Sequence, residues 1–140
     1  MVDVGGKQPT VRIALAAATV QLTAEITRAV VGNALKKGDT AQLIPLCHNI
    51  PLADVQLRLF IDEPNNRIHV FCRAKSCTET GVEMEALTGA SVACLTLYDM
   101  CKAISHEMTI GDVRLLGKRG GKRDFGVVDF DQLEADGRPM

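Results

Sequence analysis

The chain has 140 residues but no Trp, one Tyr and four Phe. That is too few aromatics for a platform on which single-stranded bases stack. Charge of one sign is also lacking: the net charge is -1, so no general attraction to nucleic acid or anionic membrane is implied. No uninterrupted run of eighteen apolar residues occurs. The most apolar stretch is broken by Thr88, Ser91 and Thr96, which argues against a membrane-spanning helix. The opening segment Met1-Val2-Asp3-Val4-Gly5-Gly6-Lys7 does not read as a signal peptide. Five cysteines, an odd number, without a secretory signal predict reduced thiols in a cytoplasmic protein. No CxxC pair exists and Cys47-His48 is adjacent rather than chelating in spacing, so no metal site is expected from these residues.

What is present fits one domain with a real core. Val11 to Leu22 is rich in Val, Ile, Leu and Ala and reads as an extended, largely buried segment. Thr23 is placed to cap a helix over Ala24 to Lys36, with Gly38 as its stop. Gln42 to Leu46 is a short apolar run that Pro45 confines to an edge or strand end. Val55 to Ile61 and Ile68 to Cys72 alternate, and Asp62 to Asn66 turns the chain between them. A long helix is predicted over Val82 to Ile104, and a last strand over Met108 to Leu116. The order strand, helix, strand, strand, helix, strand is the ferredoxin-like split βαβ arrangement, an α+β fold with an antiparallel sheet and helices on one face.

The long helix carries the chemistry. Thr80-Gly81-Val82-Glu83-Met84-Glu85-Ala86-Leu87-Thr88 opens it with two carboxylates, and Leu97-Tyr98-Asp99-Met100-Cys101-Lys102-Ala103 closes it with a carboxylate and an ammonium. Charges at the ends of an apolar helix need partners there or solvent. Asp99 and Lys102, three apart, share a face. Glu85 and Asp99, fourteen apart, point in nearly the same direction yet lie roughly 21 Å apart along the axis. One small substrate cannot touch both on a single helix. Either other elements fold over each end or two copies of the helix meet, and Gly89, Ala90, Ser91 and Ala93 would admit a close neighbour. The plainer alternative is a core helix with solvated terminal charges.

After the last strand, Gly117-Lys118-Arg119-Gly120-Gly121-Lys122-Arg123 puts four cations among three glycines. Such a loop suits an anion, though it is not a Walker loop, and a solvated basic tail has the same composition. Lys36-Lys37-Gly38-Asp39 is a second basic site at a helix end. His48 lies between Pro45 and Pro51, whose fixed backbone suits binding or proton transfer, while a packed or capping His is the ordinary alternative.

These segments together resemble the molybdenum cofactor biosynthesis protein C family, the cyclic pyranopterin monophosphate synthases. The matching motifs are MVDVGGK, KKGD, LIPLCH, TGVEMEALT, SVACLTLYDMCKA, IGDVRLL and KRGGK, and they run nearly end to end. The resemblance implies a ferredoxin-like catalytic domain over residues 1–123 that assembles as a homo-hexamer, a trimer of dimers, with active sites between subunits. It implies conversion of 3′,8-cyclo-7,8-dihydro-GTP into cyclic pyranopterin monophosphate and pyrophosphate. Carried over by motif, Asp99 is the catalytic acid/base, joined by Lys102 and Lys37. Leu46, Cys47, His48, Glu83, Met84 and Glu85 contact substrate, and Arg12, Lys118 and Lys122 take the phosphates. A Lys beside carboxylates in a partly dry interface can titrate near the working pH. No resident metal is implied, though Mg²⁺ can accompany a triphosphate. A catalytically degenerate nucleotide-binding relative is the alternative.

Two departures stand out. In the family an Ala-rich helical stretch of roughly fifteen residues, about four turns, separates KKGD from LIPLCH. Here Asp39-Thr40-Ala41-Gln42 leads directly into Leu43. A deletion, or a loop absent from the given sequence, accounts for this. The other departure is the polar tail, residues 124–140. Its end, Gln132 to Met140, resembles the leader that precedes MVDV in the family, as a circular permutation or ordinary divergence would produce.

Overall fold

A computed structural model describes residues 10–33 and 54–133. The expectations for Met1 to Lys7, for KKGD and Lys37, for Gln42 to Leu46, and for Leu46, Cys47 and His48 lie outside those residues, as does the tail end from 134 onward.

The chain runs β1 (Thr10–Gln21), α1 (Ala24–Asn33), β2 (Asp54–Asp62), β3 (Arg67–Thr78), α2 (Glu83–Cys101), β4 (Thr109–Arg119) and β5 (Phe125–Gly126). The strands form one antiparallel sheet in the order β2-β3-β1-β4-β5. Its first four strands have the ferredoxin-like order that the sequence predicts. Burial explains the central position of β1. Ala14, Ala16, Ala18 and Val20 face the helices while Leu15 and Ala17 face the other side, so both faces of the strand are covered. A strand buried on both sides reads as a continuous apolar run rather than an alternation.

Helix α1 begins where Thr23 caps it: the Thr23 hydroxyl accepts from the Ile26 amide at 3.2 Å, which satisfies one of the open amides of the first turn. Ile26 and Val30, four apart, then bury against the sheet. Helix α2 buries Glu85, Ala86, Gly89, Ala90, Ala93, Cys94, Leu97 and Cys101, the three-and-four spacing of a core stripe. Gly89, Ala90 and Ala93 therefore lie in the stripe by which α2 packs on the sheet with its Ala-rich β1. The outward face carries Met84, Leu95 and Met100, all exposed. Between β2 and β3 the turn Glu63–Asn65, with a proline in its first positions, ends on Asn66 in the left-handed region at φ 51°, a conformation that Asn tolerates.

The far face of the sheet is partly covered by the chain's own tail. The sequence places a boundary after Arg123. The described residues beyond it nevertheless pack on the domain: β5 pairs with β4, Val128 is buried, and Leu133 closes over Leu15, Ala17 and Phe71. Phe60 and Phe71 meet edge to face at 5.9 Å beneath it, Arg58 sits 4.5 Å over the Phe130 ring, and Arg73 pairs with Asp129 at 3.4 Å. The β4–β5 turn depends on Gly120, whose φ is +92° and whose missing side chain leaves room for the Val11 carbonyl. A Gly120→Ala variant is expected to lose about 1–3 kcal/mol of stability, read as a lower urea midpoint at unchanged slope.

Candidate functional site

The predicted residues fall at opposite ends of the molecule. Because Thr10 pairs with Thr78 and α2 starts five residues after Thr78, the start of β1, the end of β3 and the start of α2 lie together. Arg12, on β1, is buried to 8% exposure. Its Nε donates to the Thr78 carbonyl at 3.2 Å and its Nη2 to the Glu79 carbonyl at 3.1 Å. The guanidinium thus fastens the segment that leads into α2. Its Nη1 is turned toward the basic turn, lying 3.4 Å from where a side chain on Gly121 would begin, with the Lys118 ammonium 3.6 Å from the same point. Two cations thus flank the open side of Gly121. Among the described residues no carboxylate forms an ion pair with Arg12, Lys118 or Lys122.

The basic loop divides its labour by strand alternation. Much of it continues β4 as far as Arg119, rather than forming one flexible cradle. Lys118 takes the Arg12 side. Arg119 instead donates to the carbonyls of Lys118, Phe125 and Gly126 and holds the hairpin. The Gly120 amide donates to Asp124 at 3.1 Å, closing the turn that presents exposed Lys122.

At the start of α2, Glu83 is half-buried and Met84 is half-exposed. The Glu83 carboxylate folds back over Gly81, occupying the space a side chain there would take. Val82 in the capping position makes no side-chain cap, so Glu83 and Glu85 supply the negative charge that a helix N-terminus favours. Glu85, however, is fully buried. Its expected contact with substrate concerns a bound state, whereas Glu83 already reaches the surface of the single chain. Helix geometry corrects the alignment of Glu85 with Asp99: fourteen residues make about 3.9 turns, about 40° short of a full return. Glu85 therefore enters the core stripe while Asp99 turns to solvent.

At the other end of α2, the Lys102 ammonium donates to Asp99 at 2.6 Å, and both side chains are more than half exposed. The hydrogen bond to Asp99 and then the charge of that carboxylate push the Lys102 pKa up from the ordinary lysine value. That is the reverse of a lysine poised to titrate near neutrality, as the partly dry setting would require. Within one chain, then, the pair is an exposed ion pair about 24 Å along the axis from Glu83.

The remaining titratable groups follow burial. Desolvation pushes the Cys72 and Cys94 thiols up to about 12 and raises Cys101, which keeps them as inert small hydrophobes. Cys72, Cys77, Cys94 and Cys101 are free thiols. No group of three or more His, Cys, Asp or Glu among the described residues could hold a metal ion. Among the same residues, no helix is long and apolar enough to cross a membrane.

The sequence of the MoaC family matches residues 1–121. The chain belongs to the MoaC family. The match stops near the boundary after Arg123 and leaves the packed segment 124–133 beyond it. The chain is similar to molybdenum cofactor biosynthesis protein 1 of Drosophila melanogaster, 46% identical over 140 residues, covering 89% of this chain and 25% of the relative. It is similar to the Homo sapiens protein of that name, 46% identical over 143 residues, covering 89% and 22%. The Mus musculus protein of that name is 44% identical over 141 residues, covering 89% and 22%. The chain thus spans about a quarter of the length of these relatives or less. Each alignment is longer than the part of this MoaC chain it uses, so some positions of each relative face no residue here, in keeping with the short interval between KKGD and LIPLCH.

One functional-looking group was not singled out by sequence reasoning. Thr19, Asp62, Asn65, Arg67, His69, Asp112 and Arg114 line a groove of about 540 Å³ on the sheet face away from the helices. The outward alternation of Arg67 and His69 along β3 was the available signal. The left-handed Asp112, at φ 52°, had none.

Proposed function

We propose that the chain is a lyase of molybdenum cofactor biosynthesis that converts 3′,8-cyclo-7,8-dihydro-GTP into cyclic pyranopterin monophosphate and releases pyrophosphate. The observation that carries the reading is the family match joined to the cation site of Arg12 and Lys118 beside the start of α2. In closing the cyclic phosphate, a substrate hydroxyl attacks the α-phosphorus, and the bond from that phosphorus to the oxygen bridging the β-phosphate breaks. Pyrophosphate leaves with that electron pair. Arg12, Lys118 and Lys122 neutralise the charge that grows on the leaving group, which is where fixed cations lower the barrier.

Proton transfers that recast the purine as a pterin fall to Asp99, Lys102 and Lys37, with Leu46, Cys47, His48, Glu83 and Met84 against the substrate. The length of α2 keeps Asp99 and Lys102 out of reach of the phosphate end of the same chain. The reading therefore takes the two ends from different copies of a homo-hexamer, a trimer of dimers. Transfer of Lys102 into such an interface would remove the water that now surrounds it and oppose the upward shift imposed by Asp99. Any Mg²⁺ would ride on the substrate's phosphates, and no step is assigned to it. A reduced cytoplasmic setting fits the free cysteines.

The second reading is a nucleotide-binding relative without turnover, favoured by the shortened interval before Leu43 and the unmatched positions of the relatives. Incubating the mass-verified chain with the cyclic dihydro-GTP separates the two. Formation of cyclic pyranopterin monophosphate supports the lyase, whereas saturable binding with the nucleotide recovered intact supports the binder.

A further inference from the structure

The groove on the helix-free face of the sheet is built from four strands and one turn. Asp62 comes from the end of β2, Asn65 from the β2–β3 turn, Arg67 and His69 from β3, Thr19 from β1, and Asp112 and Arg114 from β4. It lies at the end of β1 opposite Arg12, since Gln21 pairs with Arg67 and Thr19 with His69. It is therefore separate from the cation site at Gly121. Its charges balance, two Asp against two Arg, with His69 between.

The carboxylates are engaged within the protein. Asp62 Oδ2 accepts from Asn65 at 3.0 Å and meets His69 Nε2 at 3.4 Å. Its pKa is lowered by the Asn65 hydrogen bond, against desolvation and with help from His69. Asp112 Oδ2 accepts from the Thr19 hydroxyl at 3.3 Å, and Thr19 is buried to 8% exposure. The register between β1 and β4 shifts between Ala17 and Thr19, and there Asp112 takes its left-handed backbone. A bulge in a sheet re-aims side chains, here toward the groove.

The guanidiniums are in a different condition. Arg67 donates through Nε to Gln21 at 3.1 Å, and Gln21 in turn holds the carbonyls of Asn65 and Asn66. Arg114 donates to the Asp112 carbonyl at 3.5 Å. Among the described residues neither Arg forms an ion pair, although both line a groove that also contains Asp62 and Asp112. Planar N–H forks that are charged and not ion-paired match an oxyanion in geometry and sign. The volume suits a small metabolite.

We propose that this groove is a second ligand site, for a small oxyanion, a phosphate or carboxylate group, held by the guanidiniums of Arg67 and Arg114 with His69 beside them. The His69–Asp62–Asn65 and Thr19–Asp112 hydrogen bonds occupy the two carboxylates that share the groove, and the Arg67–Gln21 bond fixes the fork.

The test uses the full chain carrying Lys118→Gln and Lys122→Gln, so that anion binding at the other end is weakened. Inorganic phosphate and malonate are each titrated into it by calorimetry at about physiological ionic strength. Saturable binding of either is expected, and which one binds identifies the source of the oxyanion. Adding Arg114→Gln, at an exposed position, is expected to weaken binding about tenfold or more, the loss of one charged hydrogen-bonding group. Adding Arg67→Gln as well is expected to abolish it. Failure of both anions to bind, or binding that survives Arg114→Gln unchanged in a chain that melts normally, would overturn the proposal.

Discussion

Replacing Lys102 by alanine is expected to lower turnover of the cyclic dihydro-GTP by about 10³-fold, the range of a lost acid/base group. Stability should change little, because the ammonium is half-exposed and its single described partner is Asp99. An exposed pair of this kind contributes almost nothing to folding. The two effects together are diagnostic. A purely structural lysine would change neither much, and a core residue would change both. If the variant folds with wild-type stability and retains full turnover, Lys102 has no part in the chemistry. Asp99→Asn should fall in the same range, since it removes the carboxylate that the proposal makes the acid/base partner of Lys102.

Arg12→Ala is expected to be the other large loss, about 10²–10³-fold in kcat/KM, and unlike Lys102→Ala it should also destabilise the fold. The guanidinium is buried and donates to the carbonyls of Thr78 and Glu79. Removing it leaves two acceptors without their charged donor, at a cost of about 2–3 kcal/mol. Arg12→Lys separates the two roles. It keeps a charge near Lys118 but cannot hold both carbonyls and still face Gly121, so it should recover part of the stability and little of the catalysis. If the ends of α2 serve different copies in one site, co-expression of the Arg12→Ala and Lys102→Ala chains should restore part of the activity that each lacks alone. Kinetics on the separate and mixed preparations, alongside urea titrations, read all of these outcomes. A mixture as inactive as its parents would contradict a site shared between copies.

Most of the fold was legible because its signals are local or periodic. The alternation of β2 and β3, the Thr23 cap and the apolar spacing of α2 each encode an element directly, and the order of elements then selects the sheet. What escaped depends on contacts distant in sequence. β5 is two residues long and exists because Gly117 and Gly126 let two backbones approach. Its pattern is too short to carry a period. The tail reads as polar because Val127, Phe130 and Leu133 are spread among charged residues, yet those apolar side chains meet on the sheet.

The candidate site was legible by residue type and only partly by position. The motif supplied Glu83, Asp99 and Lys102, but motif spacing cannot say which face of a helix turns inward. Glu85 lies in the core stripe and Asp99 outside it because 3.6 residues per turn do not divide fourteen evenly. The same limit hid the use made of Gly89, Ala90 and Ala93. Small residues permit a close neighbour without naming it, and here the neighbour is the Ala-rich β1. Arg12 was found by resemblance. Its double role, fastening the Thr78–Glu79 carbonyls while facing Lys118, needed the strand register.

The most direct measurement is phosphorus NMR of the cyclic dihydro-GTP incubated with the purified, mass-verified chain. The triphosphate signals are expected to give way to one cyclic phosphate monoanion and one pyrophosphate in equal amounts, at a rate that falls with Lys102→Ala. A triphosphate that remains intact in the presence of folded protein, even while it is bound, would contradict the lyase assignment.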